Sequence, residues 1–200
     1  MTQPQTTPAV HMIAFKGHQD AENFLGEMTG LIETLRPGEG HLISMVSVVD
    51  SIPAFKEKLR ESADLVIVSA HGEPYKRGVP FVPWVGDDCQ NWMLLSELGS
   101  PPRTRIGARA GIFWDVCNAG RPPFLDALAP FLRHRIVHIG VIGPIYYANS
   151  VSIGTELLTA LLTPGGTRLA ARDVEAAADR AVAAADCRAH RKWIGKEEQS

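Results

Sequence analysis

The sequence predicts an α/β fold: a mainly parallel sheet with helices on both faces. Apolar, strand-like runs at 10–15, 42–49, 63–70, 110–116 and 135–142 are separated by stretches with helical spacing, the order expected of a parallel sheet covered on both sides. Two of these runs stop at a polar turn marked by glycine, His71-Gly72 and Cys117-Asn118-Ala119-Gly120, where a buried strand gives way to a loop.

The elements follow in order. After the first strand, Asp20 offers an N-cap, and Phe24, Leu25, Met28, Leu31, Ile32 and Leu35 recur at helical spacing until Pro37-Gly38. The second strand spans 42–49. Ser51 and Pro53 open a short helix through Phe55 and Leu59, and 63–70 is the third strand. Residues 73–90, rich in proline, glycine and aromatics, predict a hairpin or ordered loop; 92–98 reads as one or two helical turns. A loop with Arg103, Arg105 and Arg109 leads into the fourth strand, 110–116. Beyond the Cys117 turn, Phe124, Leu125, Leu128, Phe131 and Leu132 mark a helix, and 135–142 is the fifth strand. Ile153, Leu157, Leu158, Leu161 and Leu162 give another helix, ended by Pro164-Gly165-Gly166. An alanine-rich last helix spans 169–189. The expected organisation is one domain over 10–189, with tails at 1–9 and 190–200.

Composition narrows the function. The 200 residues, 45% hydrophobic and 21% charged, are those of an ordinary globular chain, and roughly 70% of the unfolded surface can be buried without staples. A net charge of -2 gives no reason to expect a nucleic-acid or membrane-surface partner. The short basic cluster His190-Arg191-Lys192, followed by Glu197-Glu198, reads as a solvated tail. Cys89, Cys117 and Cys187 have no metal-ligand spacing among them, so neither a metal nor a cofactor is expected. Asp87 and Asp88 read as solvated loop acids rather than a calcium site. Residues 1–8 lack the charged-then-apolar order of a signal peptide, and no apolar run approaches the roughly 20 residues of a membrane span. The expectation is a cytoplasmic protein with reduced thiols.

Sites in open parallel sheets lie outside the carboxyl ends of the strands, and His71 and Cys117 both fall there. A thiol is a ready nucleophile, because a few per cent is thiolate at neutral pH. A neighbouring imidazole raises that fraction and later protonates the leaving group. Gly72 and Gly120 leave room for a substrate backbone, and the amides of Gly72 and Cys117 can face a developing oxyanion. Cys89 and Cys187 lack this setting and read as incidental.

Ser69-Ala70-His71-Gly72 resembles the histidine motif of the caspase-type (clan CD) cysteine peptidases, and Asp115-Val116-Cys117-Asn118-Ala119-Gly120 resembles their cysteine motif. Cys117 follows His71 by 46 residues (117 − 71), close to the roughly 50 of caspases. The strand Ile139-Gly140-Val141-Ile142-Gly143 and the helices after it resemble the CHAT branch, bacterial relatives of caspases and separase. The resemblance covers about 10–185. It implies a three-layer caspase–haemoglobinase fold and peptide-bond hydrolysis by a dyad, with Cys117 as nucleophile and His71 as general acid/base. Gly72 and Cys117 would supply the oxyanion contacts. Asp115 stands where caspases carry glutamine and resembles the metacaspase pattern, whose pocket takes arginine or lysine. Because residues i and i+2 of a strand share a face, Asp115 is expected beside Cys117 as the counter-charge for a basic substrate residue. CHAT domains are commonly joined to helical-repeat or sensor modules, so the resemblance implies a separately encoded partner or a stand-alone effector in bacterial stress, defence or regulated death. The competing expectations are a catalytically silent caspase-like module that binds a partner, and a flavodoxin-like small-molecule binder. The latter is weakened by the lack of a glycine-rich phosphate loop after the first strand.

Overall fold

The structure, a computed structural model, describes residues 10–72, 81–85, 91–94, 98–100, 105–162 and 169–195. Near-continuous apolar sequence makes β1 (Val10–Phe15) and β3 (Ala63–Ser69) buried at every position, which fixes them in the middle of a sheet. The six-stranded sheet runs β2-β1-β3-β6-β7-β8, with β2 Ser44–Val49, β6 Ala108–Asp115, β7 Ile136–Val141 and β8 Ala189–Ile194. All pairings are parallel except β7 with β8.

Alternate residues along each strand feed two cores. Met12, Leu65, Ile67, Phe113 and Ile139 pack beneath α1 (Gln19–Leu35), α5 (Tyr147–Leu161) and α6 (Ala171–Ala184). Ile13, Phe15, Val66, Val68, Ile112 and Trp114 pack beneath α3 (Ile52–Arg60) and α4 (Pro122–Leu128). Phe55 meets Phe15 at 4.9 Å between ring centroids, and Phe124 meets Trp114 edge-on at 5.3 Å. Each such fully buried apolar side chain contributes on the order of 1.5–3 kcal/mol. The three-layer α/β architecture expected from the sequence is therefore present.

Several elements differ from expectation, each for a local reason. Residues 40–43 turn as a short helix, α2 (Gly40–Ile43), so the second strand begins only at Ser44. The cap of α1 is His18, which accepts a hydrogen bond from the Ala21 amide at 3.2 Å; Asp20 lies inside the first turn. Ser51 does cap α3, accepting from the Ala54 amide. Asn91–Leu94 is a strand, β5, pairing antiparallel with β4 (Phe81–Val85) rather than forming helical turns. An apolar run this short suits either state, and cross-strand pairing decides it.

The largest correction concerns the C-terminus. The last helix stops at Ala184, and residues 190–194 of the expected tail belong to β8, the antiparallel edge of the sheet. Charged residues are how exposed sheet edges are protected from further pairing, so His190, Arg191 and Lys192 give an edge strand the appearance of a solvated tail. Cys187 accordingly follows the helix rather than lying in it. Cys89, Asp87, Asp88, Arg103, the 1–9 tail and most of 73–90 lie outside the described residues. No helix among the described residues is long and apolar enough to cross a membrane.

Candidate active site

The site begins with strand register. Adjacent β3 and β6 pair Val66 with Ile112 and Ser69 with Asp115, an offset of 46 residues that His71 and Cys117 continue two positions further on. Neighbouring strands lie about 4.8 Å apart, so an equal overhang carries both residues to the same place. Both line one small cavity of about 50 Å³, together with His18, Asp115, Tyr147 and Ser150. Strand register thus places His71, Cys117 and Asp115 around one cavity.

Gly72 fits tightly for an unexpected reason. A Cβ there would meet Val116 Cγ1 at 2.3 Å and the Cys117 carbonyl oxygen at 2.7 Å. The glycine therefore lets the two strand-end turns touch each other, rather than simply leaving room for substrate. Gly120 is similarly required: a Cβ would meet the His190 ring at 2.7 Å. His190 Nε2 instead donates to the Gly120 carbonyl at 2.6 Å, so β8 braces the cysteine loop. Asn118 takes the left-handed conformation (φ 66), which asparagine tolerates better than most residues. Its amide donates to Gly143 at 2.8 Å, and that of Gly120 to Val141 at 2.9 Å. The loop is thus pinned to the end of β7. Among the described residues, the amides of Gly72 and Cys117 have no such backbone partner.

The thiol of Cys117 is half-buried, and its Sγ accepts the Ile145 amide at 3.4 Å. The exposed His71 packs against His18, with ring centroids 3.7 Å apart and planes at 61°. His18 was not foreseen as part of the site; its only local signal was its place just before the α1 helix. Tyr147 at the cavity rim donates to Glu27 on α1, and this bond holds its phenol up at about 12.

Asp115 is nearly inaccessible. One carboxylate oxygen accepts from Ser69 Oγ at 2.5 Å and the other from Ser150 Oγ. Burial pushes the carboxyl up to about 6, and the hydroxyls of Ser150 and Ser69 pull it partly back. No lysine or arginine is among the described residues lining this cavity. Neither serine is picked out as a partner of Asp115 by the sequence motifs alone: Ser69 pairs with it through strand register and Ser150 reaches it from α5. Among the described residues no cluster of three or more histidine, cysteine, aspartate or glutamate side chains is placed to hold a metal.

These features define a class: an α/β protein with a mainly parallel sheet that carries a thiol and an imidazole over its carboxyl edge. Among the solved structures that resemble it are two C11 proteases. One is an inactive zymogen of a C11 protease from Parabacteroides distasonis, at 12% identity and TM-score 0.54, covering 91% of this chain and 60% of that one. The other is a secreted C11 cysteine protease from Bacteroides thetaiotaomicron in complex with an irreversible peptide inhibitor. It is 13% identical with TM-score 0.49, and the match covers 88% of this chain and 58% of that one. C11 proteases belong to the caspase-like clan CD, and the fold is of that caspase-like type. The chain spans about three fifths of the length of these structures. No family model matches the sequence, and no curated protein matches it.

Proposed function

We propose that this chain is a cysteine endopeptidase of the caspase-like clan. The observation that carries the reading is the equal overhang of His71 and Cys117 beyond the Ser69–Asp115 pair, which seats both on one cavity. In the proposed reaction the Cys117 thiolate adds to a peptide carbonyl, and the amides of Gly72 and Cys117 receive the oxyanion. His71 then protonates the leaving amine, and water that gives its proton to His71 hydrolyses the thioester.

Asp115 reads the substrate in this proposal. A buried carboxylate satisfied only by neutral hydroxyls lacks a cation, and the guanidinium or ammonium of a basic side chain supplies one. Cleavage after arginine or lysine follows. The present cavity is too small for such a side chain, so binding widens it. By resemblance, the same reading extends to a CHAT-like effector of bacterial stress or defence, working alone or with a separately encoded sensor, in the reducing cytoplasm.

The test is labelling by peptidyl electrophiles that end in Arg, Lys or Asp, on the wild type and on Cys117→Ala. Labelling by the Arg and Lys probes that disappears in Cys117→Ala supports the reading. Equal labelling of both proteins removes the enzyme, and labelling by the Asp probe alone removes the basic specificity.

A further inference from the structure

The turn between β1 and α1 carries a second imidazole to the site. His18 is only 5% exposed and lines the same small cavity as His71 and Cys117. Its ring meets that of His71 with centroids 3.7 Å apart and planes inclined at 61°. The proposed reaction gives it no proton to carry.

The hydrogen bonds of this turn decide what His18 can do. Its Nδ1 accepts from the Ala21 amide at 3.2 Å, and an amide only donates, so Nδ1 carries no proton. In the neutral ring the proton is then on Nε2, and neither nitrogen can take another while the cap holds. His18 is thus unsuited to act as a base. The backbone around it is fixed as well. The His18 amide donates to the Phe15 carbonyl at 3.3 Å, and the His18 carbonyl accepts from the Glu22 amide at 3.0 Å. The Gly17 amide donates to the Glu22 carboxylate at 2.7 Å. A buried ring anchored in this way at the start of a helix makes a rigid wall.

His71 has the opposite character. β3 ends at Ser69, so strand register sets where His71 stands but not which way its exposed ring turns. The outer torsion of a histidine side chain is broad, and proton transfer needs a ring nitrogen within hydrogen-bond reach of its partner. A misplacement of about 1 Å in such a pair costs about a hundredfold in rate. We propose that His18 is a positioning residue, whose neutral, helix-anchored ring holds the His71 imidazole in line with the Cys117 thiol. Being neutral, it does so without repelling the imidazolium that pairs with a thiolate. This role rests on the His71–Cys117 dyad and adds a third side chain to it.

A cap and a wall make opposite demands on substitution. Asparagine is among the best N-caps but has no ring, whereas phenylalanine keeps a ring and cannot cap. The rate at which iodoacetamide alkylates Cys117 in the whole chain reads the dyad without a peptide substrate. At about pH 6.5 an unassisted thiol is almost wholly protonated, and mass mapping separates Cys117 from Cys89 and Cys187. His18→Asn is expected to melt no lower than the wild type and to react about tenfold more slowly. His18→Phe is expected to melt lower and yet to react within about threefold of the wild type. The reverse order of rates would leave His18 a helix cap alone, and equal rates in the two variants would overturn the proposal as well. His71→Ala separates the two claims. If it reacts as fast as the wild type, the dyad itself fails. A slow His71→Ala beside an unchanged His18→Asn leaves the dyad standing and removes only the role of His18.

Discussion

Two buried aspartates on one strand pair are treated in opposite ways. Asp64, near the start of β3, is wholly inaccessible and faces the Arg109 guanidinium. Asp115, at the end of β6, is buried almost as deeply, but among the described residues its side chain receives only the hydroxyls of Ser69 and Ser150. An ionised carboxylate removed from water needs a compensating charge or costs stability. At one end of the sheet the protein supplies that charge itself; at the other, no described lysine or arginine lines the cavity. Strongly shifted groups of the second kind gather at functional sites, and Asp115 shares its cavity with His71 and Cys117.

The largest expected effect falls on the paired acid. Arg109→Ala takes away the guanidinium that lies 2.8 Å from the wholly buried Asp64 carboxylate, and breaking a buried pair costs about 3–5 kcal/mol. The Arg109 side chain is 35% accessible, which puts the expected loss at the lower end, about 3 kcal/mol, in denaturant unfolding at pH 7. Asp64→Asn in the same protein should recover most of it. A loss below about 1 kcal/mol would erase the contrast between the two acids, since surface pairs are worth no more than that.

Asp115→Asn should act in the reverse sense. Its folded-state carboxyl is raised to about 6 from 3.8, so the folded protein holds the proton more tightly than the unfolded chain. The resulting stability is complete below about pH 3.8 and disappears as pH climbs through about 6. Above that, the ionised form costs about 2–3 kcal/mol. Asp115→Asn is therefore expected to be more stable than the wild type by about 2 kcal/mol at pH 7.5 and nearly equal to it at pH 3.5. Unfolding midpoints at the two pH values measure this. A variant less stable at pH 7.5 would show that the carboxylate is already compensated.

This contrast was only half legible in the sequence. His71, Cys117 and Asp115 could be found because each stands at a strand end, where period and punctuation agree. Continuous apolar runs gave away the parallel strands for the same reason. Ser69 lay inside the quoted histidine motif, and its 46-residue separation from Asp115 equals that of His71 from Cys117, so register could have found it. Ser150 could not be found, because it comes from a distant helix by tertiary packing alone. β8 was concealed by its own edge chemistry, and His18 by the better capping rank of Asp20.

The finest test of the comparison removes one hydroxyl. Ser150 Oγ donates to Asp115 and lies 3.3 Å from the Tyr146 carbonyl, so a single proton serves the carboxylate in preference to a neutral acceptor. A hydrogen bond to a charged group is worth about 1.5–3 kcal/mol and one between neutral groups about 1. Ser150→Ala should therefore cost about 1.5 kcal/mol at pH 8, where Asp115 is ionised, and less than about 1 at pH 4, where it carries its proton. The Asp115 titration should also move upward from about 6, because a donor that favours the charged form is gone. Carbon-detected NMR of the side-chain carboxyl follows that directly. An equal loss at both pH values would mean that Ser150 merely fills space. A loss confined to high pH would mean that the two serines keep Asp115 ionised near neutral pH without giving it the cation it lacks.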